Sequence, residues 1–471
     1  MRVAFMHYHL RAGGVTTVIR AQAEALGSTV ESIVLSGEQP SDTLRQHFPA
    51  PIRVVSGLGY SSTSDGQSAK RTAEEVAKEM RRAWGKLADV LHVHNPTLNK
   101  NAQLPAILRY LQEMGINLIP QIHDLAEDGR PSAYYATEEY PSDCHYVVIN
   151  SRDREALVTA GLRPDAVHLL FNTVRPLPRV PVRQRGGGRA SLLYPVRGIR
   201  RKNVGEALLL GALFGADLAV TLPPRNPDDL MRYDEWKRYA ARRELSVRFD
   251  RGLHGALEEL MGEADAAISS SVNEGFGFAF LEPWTAGLPM VGRRVEHVCR
   301  DFEAAGIRLP YLYAACSVPL GCLDSISFRE RWSTSLRAAF RSFHREPADS
   351  SVESAWSAMT LGGRVDFAAL DEQSQREVLD SVQSDAAIAR EILMSNPEID
   401  GIRNILGHRD PPLLEHNRTV IESAFGPHKY ADALRQCYQG SVDRPVRHRV
   451  DKKALLDQFL RPDRFRMIAF R

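Results

Sequence analysis

The sequence predicts an α/β protein of two successive domains, each a parallel sheet covered by helices on both faces, with an extended and mostly helical C-terminal part. Three observations carry this. Short apolar runs of strand type alternate with helix-period patterns from the first residues. The alternation breaks at a stretch rich in proline, glycine and arginine, then restarts. Finally, 471 residues with 43% hydrophobic content exceed what one ordinary core holds.

The first domain, residues 1–175, reads RVAFM and then the helix pattern VTTVIRAQAEAL. ESIVL, IRVV and DVLHV follow as strands, then the helix pattern AQLPAILRYLQEM and the strands NLIPQI, HYVVI and AVHLLF. The segment RPLPRVPVRQRGGGRA has no apolar period, and residues 176–190 are taken as the linker. The second domain, 191–425, begins with SLLYPV and the helix pattern NVGEALLLGALF. It continues through DLAVTL, LSVRF, LHGALEELM, DAAISS and LPMVG. From about 296 to 417 helical patterns such as FRERWSTSLRAAFRSF dominate without a readable topology. Residues 426–471 hold a last helix, KYADALRQCY, and a basic tail.

A formal net charge of +2 gives no whole-molecule field for nucleic acid, so a small-molecule partner is expected. Charge is unevenly placed: residues 441–471 carry nine Lys/Arg against four Asp/Glu, leaving about −3 elsewhere. This tail reads as a solvated strip packed across the surface, with an anionic membrane face or a sister subunit in a homo-oligomer as alternatives. Five cysteines, with no Cys-x-x-Cys pair, read as reduced thiols. The chain opens on strand-type residues without a basic leader, and no run approaches 18 apolar residues. A cytoplasmic protein without a signal peptide or membrane span is expected.

Four constellations carry chemistry. Arg11-Ala12-Gly13-Gly14-Val15 lies between a strand and a helix, where glycines and a helix N-terminus suit a phosphate or a sugar hydroxyl; a turn requiring positive φ is the other reading. Gly57-Leu58-Gly59 also follows a strand, but SSTSDGQS after it opens no helix, so it is expected to be a loop and not a nicotinamide site. Arg197 and Lys202 leave the carboxyl end of the second domain's first strand, where their charges would meet a diphosphate; Arg200 and Arg201 read as solvated charges. Asn273, Glu274, Gly275, Phe276 and Gly277 form a turn after DAAISS, and Glu282 follows eight residues beyond Glu274. The two carboxylates can reach different hydroxyls of one ligand, though each also fits a capping role.

The string EGFGFAFLEPWTAGLPMV resembles the signature of glycosyltransferase family 4, in which Glu, seven residues and Glu run through a Gly-Phe-Gly turn. Arg197 with Lys202, Gly13-Gly14, His92-Val93-His94, His123-Asp124 and Asn172 fall in that family's order. The resemblance covers roughly residues 1–292 and the final helix. It implies a GT-B fold of two Rossmann-like domains facing a cleft and transfer with retained anomeric configuration from a nucleotide sugar. UDP-glucose is the first candidate donor and GDP-mannose the second. It further implies that Glu282 holds the ribose hydroxyls, Glu274 the donor-sugar hydroxyls and Arg197 and Lys202 the diphosphate. Gly14 would approach the β-phosphate, and His123 would line the sugar near its anomeric carbon. The sequence departs from the family in its length, since 189 residues follow Glu282 and about 296–417 correspond to no segment of the family pattern.

His7 and His9 share a strand face, as do His92 and His94, but no carboxylate or cysteine cluster accompanies them, and no Asp-x-Asp occurs. No metal or cofactor is expected beside the donor, and the histidines are expected to point from strand ends into the cleft. Loops after the first domain's strands supply Arg11, His94, Asn95, Asn99, Lys100, Arg130, Tyr134 and Tyr135 as an acceptor set, whose cations suggest a carboxylate or phosphate. Arg130, Tyr134 and Tyr135 also fit a plain surface loop. A phosphorylase, a nucleotide-sugar epimerase and a non-catalytic sugar-nucleotide sensor remain as alternatives to a transferase.

Overall fold

Strand β1 (Arg2–His7) shows how the first sheet is covered on both faces. Side chains alternate along a strand, and Ala4 and Met6 join one apolar cluster while Val3 and Phe5 join another. Around it lie β2 (Glu31–Ser36), β3 (Ile52–Val54), β4 (Val90–His94), β5 (Asn117–Ile122), β6 (Tyr146–Val148) and β7 (Val167–Leu169). They form one parallel sheet in the order β3-β2-β1-β4-β5-β6-β7. The helices Gly66–Trp84 and Leu104–Glu113 supply the first cluster, and the helices Gly14–Leu26 and Pro427–Asp443 supply the second.

The computed structural model describes residues 1–63, 65–181, 188–406 and 408–470, so 182–187 of the expected linker lie outside the described residues. Two compact units result, the first made of 1–173 and 425–460, the second of 174–424 and 461–471. The second unit holds β8 (Ser191–Arg197), β9 (Asp217–Leu222), β10 (Val247–Arg248), β11 (Ala266–Ser269), β12 (Met290–Arg293) and β13 (Leu312–Tyr313). Their parallel order is β10-β9-β8-β11-β12-β13. The order of both sheets reverses direction once, between β1 and β4 and between β8 and β11. Open sheets of this kind bind ligands outside the strand ends at such a point.

Several elements differ from the sequence reading. The expected loop SSTSDGQS ends in a helix, because Asp65 accepts hydrogen bonds from the backbone N–H of Gln67 and Ser68 and starts Gly66–Trp84, which Gly85 closes in the left-handed region. The region after Val291 contains a sixth strand, β13, and an antiparallel pair, β14 (Ser317–Pro319) with β15 (Arg364–Asp366), among its helices. These strands have two or three residues, too few to show a period. The segment after 426 is no separate body: through Leu460 it belongs to the first unit, and beyond it to the second.

Buried charge organises the second unit. Arg293, 2% exposed, donates to Glu206 at 2.8 and 3.0 Å and to Asp366 at 2.6 and 3.1 Å; Tyr313 also donates to Glu206. Arg466 reaches Asp366 at 2.8 Å. The network therefore joins β12, the helix Val204–Phe214, β15 and the C-terminal segment.

Candidate functional site

In the second unit two loops leave the ends of neighbouring strands β8 and β11. The first loop turns through Arg200–Lys202, and the second runs through Ser270 to Gly277. They are tied backbone to backbone, with Val272 N–H donating to the Arg201 carbonyl at 3.0 Å. The Lys202 carbonyl accepts from the Tyr194 hydroxyl at 2.5 Å and from the Ser270 hydroxyl at 3.0 Å.

This clamp brings Lys202 Nζ onto the Glu274 carboxylate, 72 residues away in sequence. Burial alone would push the Glu274 carboxyl up. The charges of Lys202 and Arg201, with hydrogen bonds from Lys202 and Ser271, hold it below its ordinary value, so it is an anion at neutral pH. His297 fixes the Glu274 carbonyl at 2.6 Å. Asn273 and Gly275 flank Glu274 in the same loop.

The next residues turn inward. Phe276 is 4% exposed and packs edge-on against Phe278 and Phe302, with ring centroids 4.9 and 5.6 Å away. The ring is therefore part of the core, and a ligand contact at this position would fall to the backbone. Gly277 adopts φ +89°, and a Cβ there would lie 3.1 Å from the Phe280 ring, so conformation and space both require glycine.

Glu282 begins the short helix Glu282–Thr285. Burial raises its carboxyl to about 7, and among the described residues nothing hydrogen-bonds or ion-pairs with that carboxyl. Arg197 Nη1 donates to the Pro223 carbonyl at 2.7 Å. Burial and the neighbouring Arg225 charge weaken the hold of Arg197 on its proton. Arg200, expected as a solvated charge, is instead bound to Glu372 at 2.6 and 3.0 Å.

In the first unit, Gly13 has φ 174°, an extended conformation open to any residue, and Gly14 begins the helix outside the left-handed region. The positive-φ reading of this pair is thereby removed. Nothing lies within 4 Å of a Cβ built on Gly14, and no side chain caps this helix. A bare, accessible backbone at a helix N-terminus is what an anion needs.

The histidines form an array, though not one wholly turned outward. His92 is fully buried, with Nδ1 2.8 Å from the Tyr438 hydroxyl. His94 stacks on it at 4.7 Å, and His94 Nδ1 lies 2.9 Å from His123 Nε2. His9 is tied to the Tyr60 hydroxyl at 3.0 Å. Burial lowers His7 and His92 to about 3 and His123 to about 4, and it drives His94 well down. All four are neutral imidazoles at pH 7, so His123 offers hydrogen bonding and no positive charge. Among the described residues no group of three or more His, Cys, Asp or Glu is placed to hold a metal ion.

The expected acceptor set divides. Asn95 (φ +53°) is a clamp: its side chain accepts from the backbone of His123 at 2.7 Å, and its carbonyl accepts from the Tyr8 hydroxyl at 3.0 Å. Tyr135 is 2% exposed and its hydroxyl donates to the Asn101 carbonyl at 2.7 Å, which withdraws that side chain from an acceptor. Tyr134 lies under Lys452, 4.7 Å from the ring centre. Arg130 pairs with Asp124 at 2.6 Å, and Arg11 pairs with Glu38 at 2.7 Å while its side chain stays 64% exposed. Asn99 is exposed and Lys100 half-buried in the loop after β4. Sequence reasoning missed Glu38 and Tyr60, the latter 51% exposed beside His9. They sit in glycine-flanked loops without a period, and their one signal is position after β2 and β3.

No family model matches the chain. A mannosylglucosyl-3-phosphoglycerate synthase from Petrotoga mobilis is 26% identical over 338 residues, 63% of this chain. The chain spans 65% of that relative's length. A glycosyltransferase from Rickettsia africae superposes with a TM-score of 0.55 at 11% identity, over 94% of this chain and 99% of that one. The catalytic domain of starch synthase IV from Arabidopsis thaliana gives 0.52 at 10% identity, over 94% and 99%. With two parallel sheets in Rossmann-type order and these superpositions, the chain has the GT-B fold.

Proposed function

We propose that this protein is a retaining glycosyltransferase of the family 4 type. It would move a hexose from a nucleotide sugar, UDP-glucose first and GDP-mannose second, to a small hydroxyl acceptor carrying an anionic group. The observation that supports this most is the meeting of Lys202 and Glu274 at the strand-order reversal of the second unit, with Glu282 as a half-buried carboxyl beyond them. Lys202 and Arg197 serve the diphosphate, Glu274 the donor-sugar hydroxyls and Glu282 the ribose. Gly14 keeps the phosphate role that the resemblance implies, in line with its bare helix start, and Gly13 precedes it in the donor set.

In this reading the reaction is a front-face displacement. The bond from the anomeric carbon to the diphosphate oxygen breaks as the acceptor oxygen bonds to the same face. A leaving-group oxygen takes the acceptor's proton. Lys202 and Arg197 stabilise the charge that develops on the diphosphate, and the main gain is electrostatic positioning. Neutral His123 contributes a hydrogen bond at the sugar.

An anionic acceptor is supported by the name of the relative, whose product contains 3-phosphoglycerate, and by the exposure of Arg11. An exposed pair such as Arg11 with Glu38 is worth about 0–1 kcal/mol and opens readily to an incoming anion. The same product name includes a mannosyl and a glucosyl group, which keeps both donors in view. Thermal stabilisation across a panel of nucleotide sugars tests the reading, since ligands of the folded state raise its stability by mass action. A selective rise with UDP-glucose or GDP-mannose is expected, and no rise with any nucleotide sugar would refute it.

A further inference from the structure

Residues Arg461 to Phe470 belong to the second unit, although the chain up to Leu460 belongs to the first. Aromatic packing holds them there. Phe465 lies 6.3 Å from Trp332, and Phe470 lies 5.3 Å from Phe465 and 6.2 Å from Phe343. Met467 and Ile468 are 4% and 1% exposed. Arg466 adds its ion pair with Asp366. The basic end of the chain is therefore built into the second unit.

What this segment touches is the turn that presents Lys202. Arg200 Nη1 donates to the carbonyls of Met467 at 2.7 Å and Phe470 at 3.2 Å. Its Nε and Nη2 grip Glu372, and its backbone N–H donates to Asp229 at 2.9 Å. A single 3-10 turn has little stiffness of its own. A residue pinned by five hydrogen bonds two positions before Lys202 supplies it from outside. The guanidinium fork is suited to this, because its geometry is rigid and its charge constant.

We infer that segment 461–470 positions the diphosphate end of the donor site, with Arg200 as the positioning residue. This rests on the reading of Lys202 as a diphosphate ligand. Arg200 itself touches no substrate. Its role is to fix where Lys202 stands, so loss of the contact weakens binding of the diphosphate and spares the nucleoside. Glu282, assigned to the ribose, lies on a separate loop and helix start.

The test uses the full chain and compares dissociation constants for UDP and uridine, with GDP and guanosine as a second pair. The variants are Arg200→Gln, Phe470→Ala and Lys202→Ala, each with its fold checked by circular dichroism. Arg200→Gln and Phe470→Ala are expected to weaken nucleoside diphosphate binding by about fivefold or more with the nucleoside unchanged, the scale of one ordinary hydrogen bond. Normal diphosphate binding in both, alongside a loss in Lys202→Ala, overturns the inference. Equal losses for diphosphate and nucleoside also overturn it, since they mark general structural support. If Lys202→Ala itself binds normally, the diphosphate lies elsewhere and the underlying reading fails. Should Arg200→Gln not fold, Phe470→Ala decides alone, because it leaves every charge in place.

Discussion

If Glu282 holds the ribose as proposed, its carboxyl, raised by burial to about 7, makes nucleotide binding depend on pH. Ribose hydroxyls donate, so they favour the ionised carboxylate, and binding below pH 7 must expel a proton. Affinity should rise between pH 6 and 8 and then level off, by up to about tenfold per pH unit on the rising limb. Titration calorimetry of UDP and GDP should show this rise in the native protein and none in Glu282→Gln; a rise that persists in the variant would exclude Glu282 as its cause. In the unliganded protein the raised value has the opposite sign. The stability this group contributes is present below its ordinary value of 4.5 and is lost as pH rises through about 7. Glu282→Ala should weaken the nucleoside diphosphate by about tenfold or more. Arg197→Ala and Lys202→Ala should, beyond any weakening of the bound diphosphate, lower kcat/KM by about 10² or more, because their charges matter most as the leaving group develops its own. Normal turnover in both would place the diphosphate elsewhere.

At the scale of elements, the strands and their order along the chain were legible because parallel strands buried on both faces are continuous apolar runs. The turn from Asn273 to Gly277 was legible as a motif. Its inward half was not, since whether Phe276 faces ligand or core depends on Phe302, a partner 26 positions away. The helix Gly66–Trp84 was hidden by the glycine and serines before it, and the one clue was the capping side chain of Asp65. The Arg200 and Arg293 contacts could not be read at all, because each joins residues tens to hundreds of positions apart. Arg293→Ala leaves the buried Glu206 without its cation and Asp366 with Arg466 alone. It should cost about 3–5 kcal/mol in urea denaturation, and a loss under 1 kcal/mol would show that the network is dispensable. Arg466→Ala should cost less, since its side chain is 36% exposed. On the first unit, Arg11→Ala should raise acceptor KM with donor affinity nearly intact, as loss of uniform binding to one substrate does; an equal loss of donor affinity would contradict that assignment.

At the scale of the whole molecule, sequence reasoning found two α/β domains and a break between them, and the structure has two units with Rossmann-type strand orders. The path of the last 47 residues was not legible. Their helix Pro427–Asp443 completes one face of the first sheet, and the residues after Leu460 close over the second unit. Amphipathic periodicity says that a helix packs, not on what. Everything proposed for this chain depends on hexose transfer with retention. The most direct measurement is proton NMR of the product formed from UDP-glucose or GDP-mannose with a phosphorylated hydroxy acid such as 3-phosphoglycerate, beside a reaction lacking acceptor. A new glycosidic bond with the donor's anomeric configuration, formed only when acceptor is present, is the expected result. An inverted anomer, or tight nucleotide binding with neither transfer nor donor hydrolysis, would contradict it.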